Sequence, residues 1–78
     1  MDFKAEIKAI IVAVTGLDAD EITGDEKFSD EFGIESVSVL NVITKIEEKF
    51  GIEIPEERYA EMSTLNNVVR VVQSAKAG

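Results

Sequence analysis

Three stretches of this chain repeat their apolar residues at spacings of three and four, and that period restricts the fold more than any other feature. In 3–14 the residues are Phe3, Ile7, Ile10, Ile11 and Val14. In 36–50 they are Val39, Leu40, Ile43, Ile46 and Phe50, and in 64–76 they are Leu65, Val68, Val69 and Val72. Such spacing lines one side of a helix, whereas a half-buried strand alternates. The expected ends stand beside the stripes. Asp2 is placed to cap the first helix and Gly16 to stop it. Ser36 is placed as the N-cap of the second, with Gly51 just beyond its end, and Ser63 or Thr64 as the cap of the last. Ile52 and Ile54 alternate, but no second strand is available to pair with them. Pro55, Glu56 and Glu57 suit the first turn of a short helix ending near Glu61. Segment 17–35 keeps no period, although Leu17, Ile22, Phe28, Phe32 and Ile34 are spaced through it. A connection of that length with spaced apolar residues is expected to pack over the core. The reading is all-α: a four-helix bundle in one domain, 1–78, with three longer helices, one short third helix and a long first loop.

Several function classes are excluded by what the chain lacks. It has no Cys and no His, so it can build neither a disulfide, nor a Cys/His zinc site, nor a catalytic group that depends on histidine. Sixteen acids against eight bases give a net charge of −8, which disfavours nucleic acid as a partner. No apolar run approaches the length of a membrane span. The run from Ala9 to Val14 is short for a signal core, and Asp2 and Glu6 stand where a basic region would be needed. A calcium loop starting at Asp18 fails as well. Its fifth position is Ile22, its glycine comes one place late at Gly24, and its twelfth position is Ser29. No metal site and no enzyme active site are expected.

The charge is unevenly distributed. Fourteen acids and four bases lie between Asp18 and Glu61, while the two ends are nearly neutral. Such a surface is either a solvated face or a docking face for basic partners, whose encounter it would steer. Ser36 has two readings as well. It stands where a helix N-cap belongs. A phosphate ester on its hydroxyl would also be favoured there, by the free N–H groups and the positive end of the helix.

The run from Phe32 to Glu57, F-G-I-E-S-V-S-V-L-N-V-I-T-K-I-E-E-K-F-G-I-E-I-P-E-E, closely resembles the acyl carrier proteins. That family carries Asp-Ser-Leu at the start of its second helix, a glycine two residues before the Asp, a paired-acid-x-Phe ending, and Ile-Pro ahead of a short third helix. Gly33, Glu35, Ser36, Val37, Glu47, Glu48, Phe50, Ile54 and Pro55 occupy those places. The resemblance implies a four-helix bundle of acyl-carrier type. It implies covalent 4′-phosphopantetheine on Ser36, transferred from coenzyme A by a phosphopantetheinyl transferase. Acyl groups held on its thiol would be delivered to acyl-transfer, synthase or condensing enzymes of fatty-acid, lipid or polyketide synthesis. Such enzymes would bring basic patches to a docking face made by Glu35, Val37, Asn41, Glu47 and Glu48.

The protein is expected to be a cytoplasmic, monomeric, discrete carrier and not itself an enzyme. The departures are Glu35 for Asp, Val37 for Leu, and Ser38, Asn41 and Lys45 on a helix that is often more acidic. They point to a specialised member. An aminoacyl or peptidyl carrier is the alternative, and an unmodified acidic interaction module is the reading from outside the family.

Overall fold

In the computed structural model, residues 2–77 are described. The long helices are α1 (Phe3–Thr15), α3 (Ser36–Phe50) and α4 (Leu65–Ala77), with a five-residue α2 (Phe28–Phe32) in the first connection. Two 3-10 segments complete the order, a turn at Ala19–Glu21 and a longer one at Glu56–Glu61. No strand occurs among the described residues. The expected third helix is thus present as a 3-10 helix, entered just after Pro55. The expected long loop contains a helix that its sequence does not advertise, since five residues are too few to display a period.

The caps explain where the helices begin and end. The Ala5 N–H donates to Asp2 Oδ1 (3.3 Å), and α1 stops at Gly16. Thr64 caps α4, its Oγ1 accepting from the Asn67 N–H at 3.1 Å. Ser36 does not cap α3. The N-cap position belongs to Glu35, whose carbonyl accepts from Ser38 and Val39 at 3.0 and 3.3 Å and whose side chain makes no capping bond. The reason lies one turn upstream. Gly33, at φ 64°, ends α2 in the left-handed region that a side chain would disfavour. Ile34 then packs against the core and its N–H donates to the Phe28 carbonyl at 3.0 Å. The chain therefore enters the next helix one residue earlier than a serine cap would place it.

Helix α1 starts where α3 and α4 end, so it runs against both. The Phe3 and Phe50 rings lie 5.0 Å apart, and Lys76 Nζ sits 5.7 and 5.2 Å from their centroids. Lys49 and Glu6 add an ion pair at 3.7 Å. Between the helices the core takes Ile7 and Ile11 from α1, Val42, Ile43 and Ile46 from α3, and Leu65, Val68, Val71 and Val72 from α4. Each such side chain contributes roughly 1.5–3 kcal/mol by leaving water. Val42 and Val71 fall outside the narrow stripes read from the sequence, because a helix held between neighbours buries a wider arc than one stripe. Ile22 and Phe28 from the first connection close one side of this core, and Ile54 and Met62 close another.

The first connection is held by polar contacts that its composition makes available. The Glu26 carboxylate accepts from the Thr23 N–H (3.1 Å), the Gly24 N–H (3.0 Å) and the Thr23 hydroxyl. The Thr23 hydroxyl chiefly, then the Gly24 N–H, lowers its pKa to about 2. Asn66 reaches across from α4 to this turn and donates to Asp25 Oδ1 at 2.8 Å.

Candidate functional site

Ser36 is exposed and is the first residue of α3. Because Glu35 takes the N-cap position, the Ser36 hydroxyl has no capping duty. The first N–H groups of a helix have no acceptor within it, and the backbone pattern at Glu35, Ser38 and Val39 leaves those of Ser36 and Val37 outside the ladder. They stand at the positive end of a fifteen-residue helix.

Beside Ser36 opens a cavity of about 390 Å³. Phe28, Ser29 and Ile34 form one wall, and Tyr59, Ala60, Met62 and Ser63 the facing one. Val39, Leu40 and Ile43 of α3 lie between them. The lining is mainly apolar, with hydroxyls from Ser29, Ser36, Tyr59 and Ser63. A mostly apolar concavity with a few polar groups is the usual form of a small-molecule site. The 3-10 helix that carries Tyr59 holds a forked pair: Arg58 Nε and Nη2 donate to Glu61 Oε2 and Oε1 at 2.7 and 3.3 Å. The hydrogen bond from Arg58 is the main cause holding the Glu61 carboxyl below its ordinary range, and the same bond raises Arg58.

The residues expected to dock partners are spread by helical geometry. At 3.6 residues per turn, Val37, Asn41 and Glu48 share one face of α3 with Thr44, and all four are exposed. Val37 keeps 57% and Leu40 45% of their surface open to water, the large apolar side chains that are exposed among the described residues. Glu35 is exposed at the head of that face. Glu47 is drawn to its flank and is half-buried, where its Oε2 accepts from the Ile54 N–H at 2.8 Å. That bond holds the bend between α3 and the 3-10 helix, so Glu47 has an internal duty that the sequence pattern did not reveal. A second, more polar cleft of about 410 Å³ lies at this end, bordered by Thr44, Glu47, Glu48, Ile52, Glu53 and Ile54. No group of three or more metal-ligating side chains gathers there or elsewhere among the described residues.

The resemblance implies a shelter for an acyl chain between the helices, but the sequence did not locate this cavity. Its walls come from four separate segments, and Phe28, Tyr59 and Met62 carry no local sign that they face a common space. The Thr23-x-x-Glu26 spacing was the nearest available signal in the first connection, since Ser/Thr-x-x-Glu marks a reciprocal turn.

Two comparisons bear on this site. The family described as the phosphopantetheine attachment site matches residues 5–72. Among solved structures, the chain is similar to the hexanoyl acyl carrier protein of the actinorhodin polyketide synthase from Streptomyces coelicolor. That likeness has a TM-score of 0.80 at 19% identity and covers 94% of this chain and 88% of the other. At that identity it shows a shared fold.

Proposed function

The chain belongs to the acyl carrier protein family, whose phosphopantetheine attachment domain spans residues 5–72, and on that premise we propose that it carries acyl groups on 4′-phosphopantetheine bound to Ser36. The single observation that carries the reading is that an exposed, uncommitted hydroxyl at a helix start lines an apolar cavity of about 390 Å³. The residues present fit the group. Ser36 Oγ would take the phosphopantetheine from coenzyme A, with 3′,5′-ADP leaving and the hydroxyl proton lost. The N–H groups of Ser36 and Val37 would face the resulting phosphodiester anion, and the positive helix end favours it. When bound, the group supplies a thiol that holds the acyl cargo.

The cavity's role is to exclude water from that cargo. Phe28, Ile34, Val39, Ile43 and Met62 present the hydrocarbon, and each buried methylene contributes about 0.8 kcal/mol. An apolar lining favours an acyl chain over an aminoacyl group, whose ammonium would lose its hydration there. The exposed face from Val37 to Glu48 serves docking. Val37 and Leu40 provide apolar contact, while Glu35 and Glu48 meet basic side chains of a transferase or an acyl-transfer or condensing enzyme. No helix among the described residues is long and apolar enough to cross a membrane.

The test is intact mass after incubation with coenzyme A and phosphopantetheinyl transferases of broad specificity. The expected result is a gain of one phosphopantetheine, absent in Ser36→Ala. No gain with any transferase sinks the carrier reading, and a gain that persists in Ser36→Ala moves the attachment elsewhere.

A further inference from the structure

Three hydrogen bonds join the segments that carry the two facing walls of the cavity. The Phe28 N–H donates to the Ser63 carbonyl at 2.9 Å, and the Asn66 N–H to the Gly24 carbonyl at 3.0 Å. Asn66 Nδ2 donates to Asp25 Oδ1 at 2.8 Å. Phe28 belongs to one wall and Ser63 to the other, so the width between them is set at this edge by directional bonds. The approach is close. Gly24 is buried at φ 148°, and a Cβ there would stand 2.6 Å from Asn66 Nδ2. The two sides of the junction are unequal. Asn66 follows Leu65, which is fully buried and opens a thirteen-residue helix. Across from it, Asp25 and Lys27 are exposed and α2 has only five residues. A short helix, tied in part through the exposed Asn66–Asp25 bond, opens at lower free energy than a long packed one.

We propose that this junction is a clasp that limits the length of acyl chain the interior accepts, and that chains beyond the limit open it by displacing the α2 wall. The inference rests on the reading of Ser36 as the tether. A methylene fills about as much space as a water molecule, ~30 Å³, so a cavity of about 390 Å³ corresponds to roughly a dozen. Shorter cargo enters with the clasp closed. Longer cargo needs more room, and the wall held by three replaceable bonds yields before the long helices do.

Chains of about six and about sixteen carbons fall on either side of that capacity. Each is loaded on the modified protein, and amide hydrogen exchange is followed at Phe28 and Asn66 with the methyl signals of Ile43 and Met62. Both cargoes should shift the methyl signals. Only the longer one should speed exchange at the two clasp amides, by about tenfold or more. Asn66→Ala, measured without cargo, should already show faster exchange at Phe28. Long cargo that shifts the methyls and leaves the clasp amides unchanged overturns the clasp and leaves the carrier reading standing. Methyl signals indifferent to both cargoes overturn it as well. If the protein gains no phosphopantetheine mass at the outset, the carrier reading fails, and the clasp as a limit on cargo fails with it.

Discussion

The two ends of α3 are held in opposite ways. Phe50, at its end, packs against Phe3 with ring centroids 5.0 Å apart and Lys76 over both rings, so that all three long helices meet there. Ser36, at its start, is exposed beside a cavity whose walls are an α2 of five residues and a 3-10 helix of six. One end gathers side chains from long helices; the other is bordered by short segments joined by three hydrogen bonds. The difference shows how so small a bundle combines stability with access. Contacts that resist unfolding lie about 20 Å from the hydroxyl, by the rise of the helix. The end proposed to admit an enzyme and shelter a chain is built from short segments, which open at lower free energy than long packed helices.

The largest effect should separate the two ends directly. Phe50→Ala removes a ring from the three-helix junction and should lower stability by about 2 kcal/mol, a melting-temperature fall of roughly 10 °C for a domain of this size. Leu40→Ala, at the open end, should stay within about 0.5 kcal/mol, as exposed positions do. Thermal melts that rank the two variants in the reverse order would break the comparison.

An intermediate effect belongs to Glu47, which links the packed half to the 3-10 wall. Glu47→Ala leaves the half-buried Ile54 N–H without its acceptor and should cost about 1 kcal/mol, whereas Glu47→Gln keeps an acceptor and should lose less. Equal losses in urea titrations of the two variants would show that the bond to Ile54 contributes nothing.

The smallest effect is a pH dependence in the first connection. The hydrogen bonds from Thr23 and Gly24 lower the Glu26 pKa from 4.5 to about 2. A carboxylate whose pKa falls on folding stabilises the folded state fully above its unfolded value, and loses that contribution as pH falls through the folded one. The stability difference between the protein and Glu26→Gln should therefore be complete above pH 4.5 and close as the pH approaches 2. A difference that stays constant across that range would mean that the turn does not depend on the charge.

Much of the helical frame was legible because its signals are local. Ile7 and Ile11, Ile43 and Ile46, and Leu65, Val68 and Val72 stand at helical spacing and are all buried. Asp2 and Thr64 cap the helices they precede. Ser36 was found by its place between Gly33 and the apolar run, although its expected capping role belongs to Glu35. The missed parts depend on what the chain brings together from afar. Asn66 bonds Asp25 across 41 positions, and nothing near either residue marks the pairing. Glu47 reads in the sequence as a docking acid of the paired motif, and nothing there marks that the Ile54 N–H donates to it.

The sequence by itself determined the helices, the family and the serine at the head of α3, because period, caps and a spaced motif are properties of neighbouring residues. Only the tertiary structure decided that Ser36 is free of capping and lines an apolar cavity, that Glu47 is partly withdrawn from the proposed docking face, and that Asn66 joins the segments that carry the cavity's walls. Those outcomes depend on how separate segments satisfy one another's backbone groups and fill one another's space. A backbone N–H finds its partner by distance in the folded chain, not by position along it.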